Sequence, residues 1–195
     1  RRVPEVRVGI LGGSFDPIHN AHLIIALLAR ESLGLDVVRL MVAAQQPLKP
    51  GGHGATAEQR AEMVELAVAG VPGLVADWRE LRRSGPSFTA ESLRELHHEF
   101  PNTAFTLLLG SDTAARFGEW REPEVIRSLA EVVVFRRGGA AVPAGFTAEV
   151  AVPALELSST AVRTRAAAGL PLVGWVPDRV ADYISRFGLY VSHGE

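Results

Sequence analysis

The stretch GILGGSFDPIHNAH, Gly9 to His22, decides how the chain is read. A short apolar run empties into two glycines, Gly12 and Gly13, and two histidines, His19 and His22, then stand at the mouth of a helix. A chain that only had to turn could use one glycine and any polar residue. Paired glycines let backbone approach a ligand closely, and a helix start offers unpaired N–H groups and the positive end of its dipole. Protonated imidazole is disfavoured there unless an anion faces it, so the pair reads as phosphate-facing. Two other readings are a zinc site, for which third and fourth ligands are not evident, and a purely structural turn.

Outward from this stretch the chain alternates. Val6–Leu11 and Val37–Ala43 read as buried strands, with a helix between them whose Leu23, Ile24, Leu27 and Leu28 recur at helical spacing before a stop at Gly34. Thr56 and Gln59 form a capping box for a helix that turns Met63, Val64, Leu66 and Ala67 inward. Strand Leu74–Ala76, a helix capped by Thr89, strand Ala104–Leu109, a helix started by Pro123 and strand Val132–Phe135 follow. Val150–Val152 is a shorter strand, Ser159 opens a helix ending near Gly169, and Pro177 opens the last. Such alternation implies right-handed crossovers and an α/β fold, doubly wound around a mostly parallel sheet, whose ligands sit at the carboxyl ends of the strands.

Composition narrows the partners. The 195 residues suit one domain, with a C-terminal helical part from about residue 158, and 47% hydrophobic content supports a sizeable core. No apolar run approaches the ~18 residues of a membrane helix. Twenty basic against twenty-two acidic side chains give a formal charge of -2, which argues against nucleic-acid and membrane-surface binding. Without cysteine there is no disulfide, thiolate metal site or cysteine nucleophile. No protein metal site is expected. Arg1-Arg2-Val3-Pro4 lacks the features of a signal peptide, so a cytoplasmic location is the expectation. A homo-oligomer is compatible with all of this.

Further anion-binding features recur at helix starts. In LSSTAVRTR, Ser158, Ser159 and Thr160 supply hydroxyls and N–H groups, with Arg163 on the first turn; a bare helix cap is the alternative. Gly110-Ser111-Asp112 ends a strand, where an acidic side chain can accept ribose hydroxyls or merely close an Asx turn. Trp120 stands on a loop where its ring could stack on a base or pack in the core. Trp78 and Trp175 read as packing residues, Arg79, Arg82 and Arg83 as a solvated face, and His53, His97 and His98 as chemically idle.

These motifs, with PLK, WRELRRSGPSFTAESL, LLGSDTAARFGEW and VVVFRRGG between them, resemble in order and over nearly the whole chain the bacterial nicotinate mononucleotide adenylyltransferases of the nucleotidyltransferase superfamily. The resemblance implies a Rossmann-like fold, ATP and nicotinate mononucleotide as substrates, deamido-NAD and pyrophosphate as products, and Mg2+ with the ATP. It implies that ATP meets Gly12, Gly13, Ser14, Phe15, His19, His22, Gly110, Asp112, Ser158, Ser159, Thr160 and Arg163, with His19, His22, Lys49 and Arg163 catalytic. The mononucleotide would meet Gly13, Ser14, Lys49, Phe88, Thr89, Trp120 and Arg136. Ser14, Ala21, Phe88 and Glu91 depart from the residues usual in that family, which touches fine substrate contacts.

The residues agree with that chemistry. A phosphate monoester is largely anionic at pH 7, its second pKa being about 6, so it attacks without a general base, and no nucleophilic triad is evident. The rivals are the same transfer onto phosphopantetheine, a CTP-dependent transfer onto a glycerol phosphate, and a nucleotide sensor that releases no pyrophosphate. One compositional fact is sharper. Nineteen of the basic residues are arginine and Lys49 is the single lysine, so a compact, flexible ammonium is read as needed there. Lys49→Arg is expected to lose activity; steady-state kinetics equal to the parent would make the lone lysine an accident.

Overall fold

Apolar strands joined by helices bury both faces of a sheet, and this chain does so with a single switch of direction. The computed structural model describes residues 6–44, 54–137, 141–146 and 149–191; Lys49 and His53 fall outside them. Its strands are β1 (Val6–Gly13), β2 (Val37–Val42), β3 (Leu74–Asp77), β4 (Thr103–Gly110), β5 (Glu131–Arg137) and β6 (Glu149–Val152). They form one sheet in the order β3-β2-β1-β4-β5-β6, parallel throughout. The order reverses between β1 and β4, and the carboxyl ends of those two strands open a crevice.

The helices are α1 (Asn20–Leu33), α2 (Ala57–Val68), α3 (Thr89–Glu99), α4 (Ser111–Ala115), α5 (Pro123–Leu129), α6 (Ser159–Ala167) and α7 (Asp178–Arg186). Ile25, Met63, Val162 and Val180 carry α1, α2, α6 and α7 into one core, while Leu93, Ala114 and Ile126 carry α3, α4 and α5 into the other. Several boundaries follow local chemistry. Gly34 takes the left-handed conformation that ends α1, and the Thr56–Gln59 box closes with bonds of 3.2 and 3.0 Å. No described helix is long and apolar enough to cross a membrane.

Four expectations shift. Gly12 and Gly13 belong to β1, because parallel pairing with Met41 and Val42 continues through them. The buried stripe of α1 is Ala21, Ile25, Ala26 and Ala29; Leu23, Leu27 and Leu28 only flank the core, since small residues let the helix lie close to the sheet. Thr89 is the first residue of α3 and Phe88 occupies the cap position without a side-chain bond. Arg79 and Arg83 are not a solvated face: Arg79 is paired with Asp77 at 3.0 Å and Glu99 at 3.2 Å, and Arg83 with Glu91 at 3.6 Å and Glu95 at 3.5 Å. Beneath them lies Glu80, whose carboxyl burial holds above its usual pKa despite a hydrogen bond from Ser92.

Gly9 shows how tightly the sheet is filled. A Cβ there would lie 2.7 Å from Leu35 Cδ1 and 3.2 Å from Val38 Cγ2. Gly9→Val is expected to cost about 1–3 kcal/mol or more through overpacking, read as a lower denaturation midpoint at unchanged slope.

Candidate active site

The turn after β1 is built around two buried charges. Arg60, on α2 and fully buried, donates to the carbonyls of Ser14 at 2.6 Å, Ala43 at 2.7 Å and Ala44 at 3.1 Å. Burial lowers its pKa, and the Asp16 carboxylate opposes that shift; a guanidinium still stays charged. Asp16 accepts from the backbone N–H groups of Gly54 at 2.7 Å and Ala55 at 3.1 Å, and from the Tyr190 hydroxyl at 2.7 Å. Phe15 between them holds a φ of 49°, a region a bulky side chain occupies only when its surroundings impose it. Its buried ring lies against Gly13, where an added Cβ would stand 3.0 Å from Phe15 Cζ.

His19 caps α1 and is buried, and His22 stacks on it with ring centroids 3.7 Å apart at 22°. The backbone N–H of His19 donates to His22 Nδ1 at 3.2 Å. In the neutral ring that bond assigns the proton to His22 Nε2, leaving a donor on the far side of the imidazole.

The second motif is fastened to the first. Ser158 caps α6 through a bond from Ala161 N at 3.1 Å. Ser159 Oγ donates to the Pro17 carbonyl at 2.9 Å. Arg163, one turn into α6 rather than on its first turn, donates from Nη1 to the Asp16 carbonyl at 2.7 Å and from Nη2 to Thr160 Oγ1 at 3.3 Å. A guanidinium and a helix start thus stand beside the histidine-bearing loop.

At the crevice between β1 and β4 an open cleft of about 290 Å³ is lined by Gly12, Gly110, Ser111, Asp112, Trp120 and Phe135, among others. Among the described residues nothing lies within 4 Å of where a Gly12 Cβ would be, so backbone itself borders the cleft. Asp112 is exposed on α4 rather than at a strand end. Trp120 is half-buried, 5.5 Å from Phe117, joining the core on one side and the cleft on the other. Phe88, Thr89 and Arg136 do not line this cleft. Phe88 lies under the Arg121 guanidinium at 4.7 Å, and Arg136 is half-buried near the carboxyl end of β5, beside the cleft residue Phe135.

Residues 10–165 match the cytidylyltransferase-like family. A protein of Herpetosiphon aurantiacus named "Probable nicotinate-nucleotide adenylyltransferase" is 39% identical over 197 residues, covering 95% of this chain and 99% of its own. A Roseiflexus protein of the same name is 41% identical over 194 residues, covering 94% and 97%. The chain belongs to the nicotinate-nucleotide adenylyltransferase family. Its fold is also that of a solved Plasmodium falciparum nicotinic acid mononucleotide adenylyltransferase complexed with NaAD, at TM-score 0.75, 18% identity and coverage of 95% and 98%.

In this nicotinate-nucleotide adenylyltransferase, then, sequence reading singled out the histidines, the α6 motif and Gly12, Gly110, Asp112 and Trp120, and missed Asp16, Arg60 and Tyr190, whose bonds fasten the loop before α1 to residues after β2, before α2 and on α6. The DP in the first motif was a usable signal; an arginine inside AEQRAEMV is not, since only burial separates it from surface arginines. From the capped, stacked geometry, His19→Ala and His22→Ala are each expected to fold yet lose about 2 to 4 kcal/mol of transition-state stabilisation. Near-parental kcat/KM in either folded variant would return the pair to a structural role.

Proposed function

We infer that this chain catalyses the reaction for which its family is named, transferring the adenylyl group of ATP to nicotinate mononucleotide with release of pyrophosphate. The observation that carries it is the meeting, at the carboxyl ends of β1 and β4, of the open Gly12 backbone and the cleft residues Asp112 and Trp120. In support, the two relatives described above bear that enzyme's name.

The step is an in-line displacement. An oxygen of the mononucleotide phosphate bonds to the α-phosphorus of ATP as the bond to the β-phosphate oxygen breaks, and pyrophosphate leaves with that electron pair. No covalent enzyme intermediate and no general base enter. What the protein supplies is position and charge: His22 Nε2–H, Arg163, the α1 and α6 N-termini and Lys49 hold the phosphates, while Asp112 takes the ribose and Trp120 the nicotinate ring. Gly13, Ser14, Phe15, Ser159 and Thr160 border the same phosphates.

Magnesium is proposed to enter on the triphosphate. Among the described residues no three His, Asp or Glu side chains gather as a cage, and Asp16 directs its oxygens at Gly54, Ala55 and Tyr190. An ion brought in by the substrate phosphates would neutralise charge on the departing pyrophosphate. A cytoplasmic setting, where ATP and magnesium are abundant, belongs to the same proposal.

Nicotinate is proposed over nicotinamide on electrostatic grounds. The α3 start, with Phe88 and Thr89, offers N–H donors and a positive dipole end to a ring carboxylate, whereas the amide presents its own N–H to those donors. Glu91 on that first turn is offset by Arg83 at 3.6 Å and Arg121 at 3.8 Å. A mismatched buried hydrogen-bonding group costs about 1 to 3 kcal/mol, so kcat/KM should favour nicotinate mononucleotide by several-fold to over a hundredfold. Pyrophosphate release measured with both mononucleotides at saturating ATP and magnesium checks this; parity or an amide preference would move the pocket elsewhere, and no release with either would remove the activity.

A further inference from the structure

Tyr190 is the described residue most remote in sequence from the histidine motif that still bonds to it. It follows α7 and a turn at Gly188, and it holds a φ of 63°. An aromatic residue rarely adopts that left-handed conformation, which costs on the order of 1–3 kcal/mol and persists only where surrounding contacts impose it. Two contacts do so. The hydroxyl donates to Asp16 Oδ1 at 2.7 Å, across 174 residues of chain, and the ring lies against Gly54, where an added Cβ would stand 3.0 Å from Tyr190 Cε1. Burial, with the bond to Asp16, pushes the hydroxyl pKa far up, so the phenol stays a donor throughout the working range of pH.

The hydroxyl's partner is itself a junction. The Asp16 carboxylate holds Gly54 N and Ala55 N, and the carbonyl of the same residue holds Arg163 Nη1. Moving Asp16 therefore moves the first motif and the α6 arginine together.

We propose that Tyr190 is a positioning residue for adenylyl transfer: by fixing the Asp16 carboxylate it sets where Arg163 and the histidine loop present their donors to the triphosphate. It touches no substrate. The kinetic part of this rests on the adenylyl-transfer reading above; the structural part does not.

Tyr190→Phe keeps the ring and removes only the hydroxyl. Misplacing phosphate donors by a fraction of an ångström is expected to raise KM for ATP and lower kcat/KM on the order of tenfold, with the melting temperature lowered by only a few degrees. Amide hydrogen exchange at Gly54 and Ala55 should quicken in the same variant, a readout that needs no substrate. Leu189→Ala is the control: it removes a buried side chain next door, so it should lower the melting temperature while leaving KM for ATP unchanged at temperatures where it is folded. Parental KM for ATP and parental exchange in Tyr190→Phe would overturn the proposal, as would equal losses of activity in the two variants in proportion to their stability. If the parent itself releases no pyrophosphate, the functional reading fails, and the exchange measurement still decides the positional claim.

Discussion

The site hangs on a buried pair of opposite charges that feel one another's field and direct hydrogen bonds to the main chain. Arg60 gives its N–H groups to three backbone carbonyls, and Asp16 gives its oxygens to two backbone amides and a phenol. Each is a clamp on main chain. Arg60 ties Ser14, just past β1, to Ala43 and Ala44, just past β2; Asp16 ties the first motif to the approach of α2. A backbone carbonyl left buried without a partner costs about 1–3 kcal/mol, so the guanidinium is the reason these strand ends can sit together away from water. Lysine could not replace it, because a single ammonium does not span carbonyls from two strands as a planar fork does.

With the ends of neighbouring strands joined, the helices that follow inherit their places. His19 and His22 stack because α1 begins where the clamped turn releases it, and Asn20 secures that beginning through bonds to the Gly174 and Trp175 carbonyls at 2.8 and 3.0 Å. The α6 motif docks on carbonyls of Asp16 and Pro17. The groups proposed to hold the phosphates are thereby fixed by bonds to backbone from elsewhere in the chain, and charge stabilisation requires preorganisation of this kind.

Much of this was legible in the residues. Strand and helix alternation, the Thr56 box, the Gly34 stop and the Pro123 start are local chemistry, and local chemistry survives folding. What sequence could not convey was partnership at a distance. Arg79 and Arg83 look like surface charges in RELRR until β3 and α3 bring Asp77, Glu95 and Glu99 against them. The leucines of α1 outrank its alanines in any hydrophobic count, yet close approach to the sheet puts the alanines innermost. Ser158 and Ser159 read alike in the sequence, and geometry gives the first a cap bond from Ala161 N and the second a bond to the Pro17 carbonyl. Arg60 and Tyr190 carry no local mark at all.

The bond between Asp16 and Tyr190 also orders events in time. A ribosome releases the first motif early, and the strand pairs β1–β2 and β1–β4 can form as their members emerge. The Asp16 carboxylate receives its phenol only after the whole sheet and both C-terminal helices have been made, and a contact of such sequence separation is slow to find. The histidine-bearing loop of a nascent chain therefore lacks one of its anchors until the residues that follow α7 have been made.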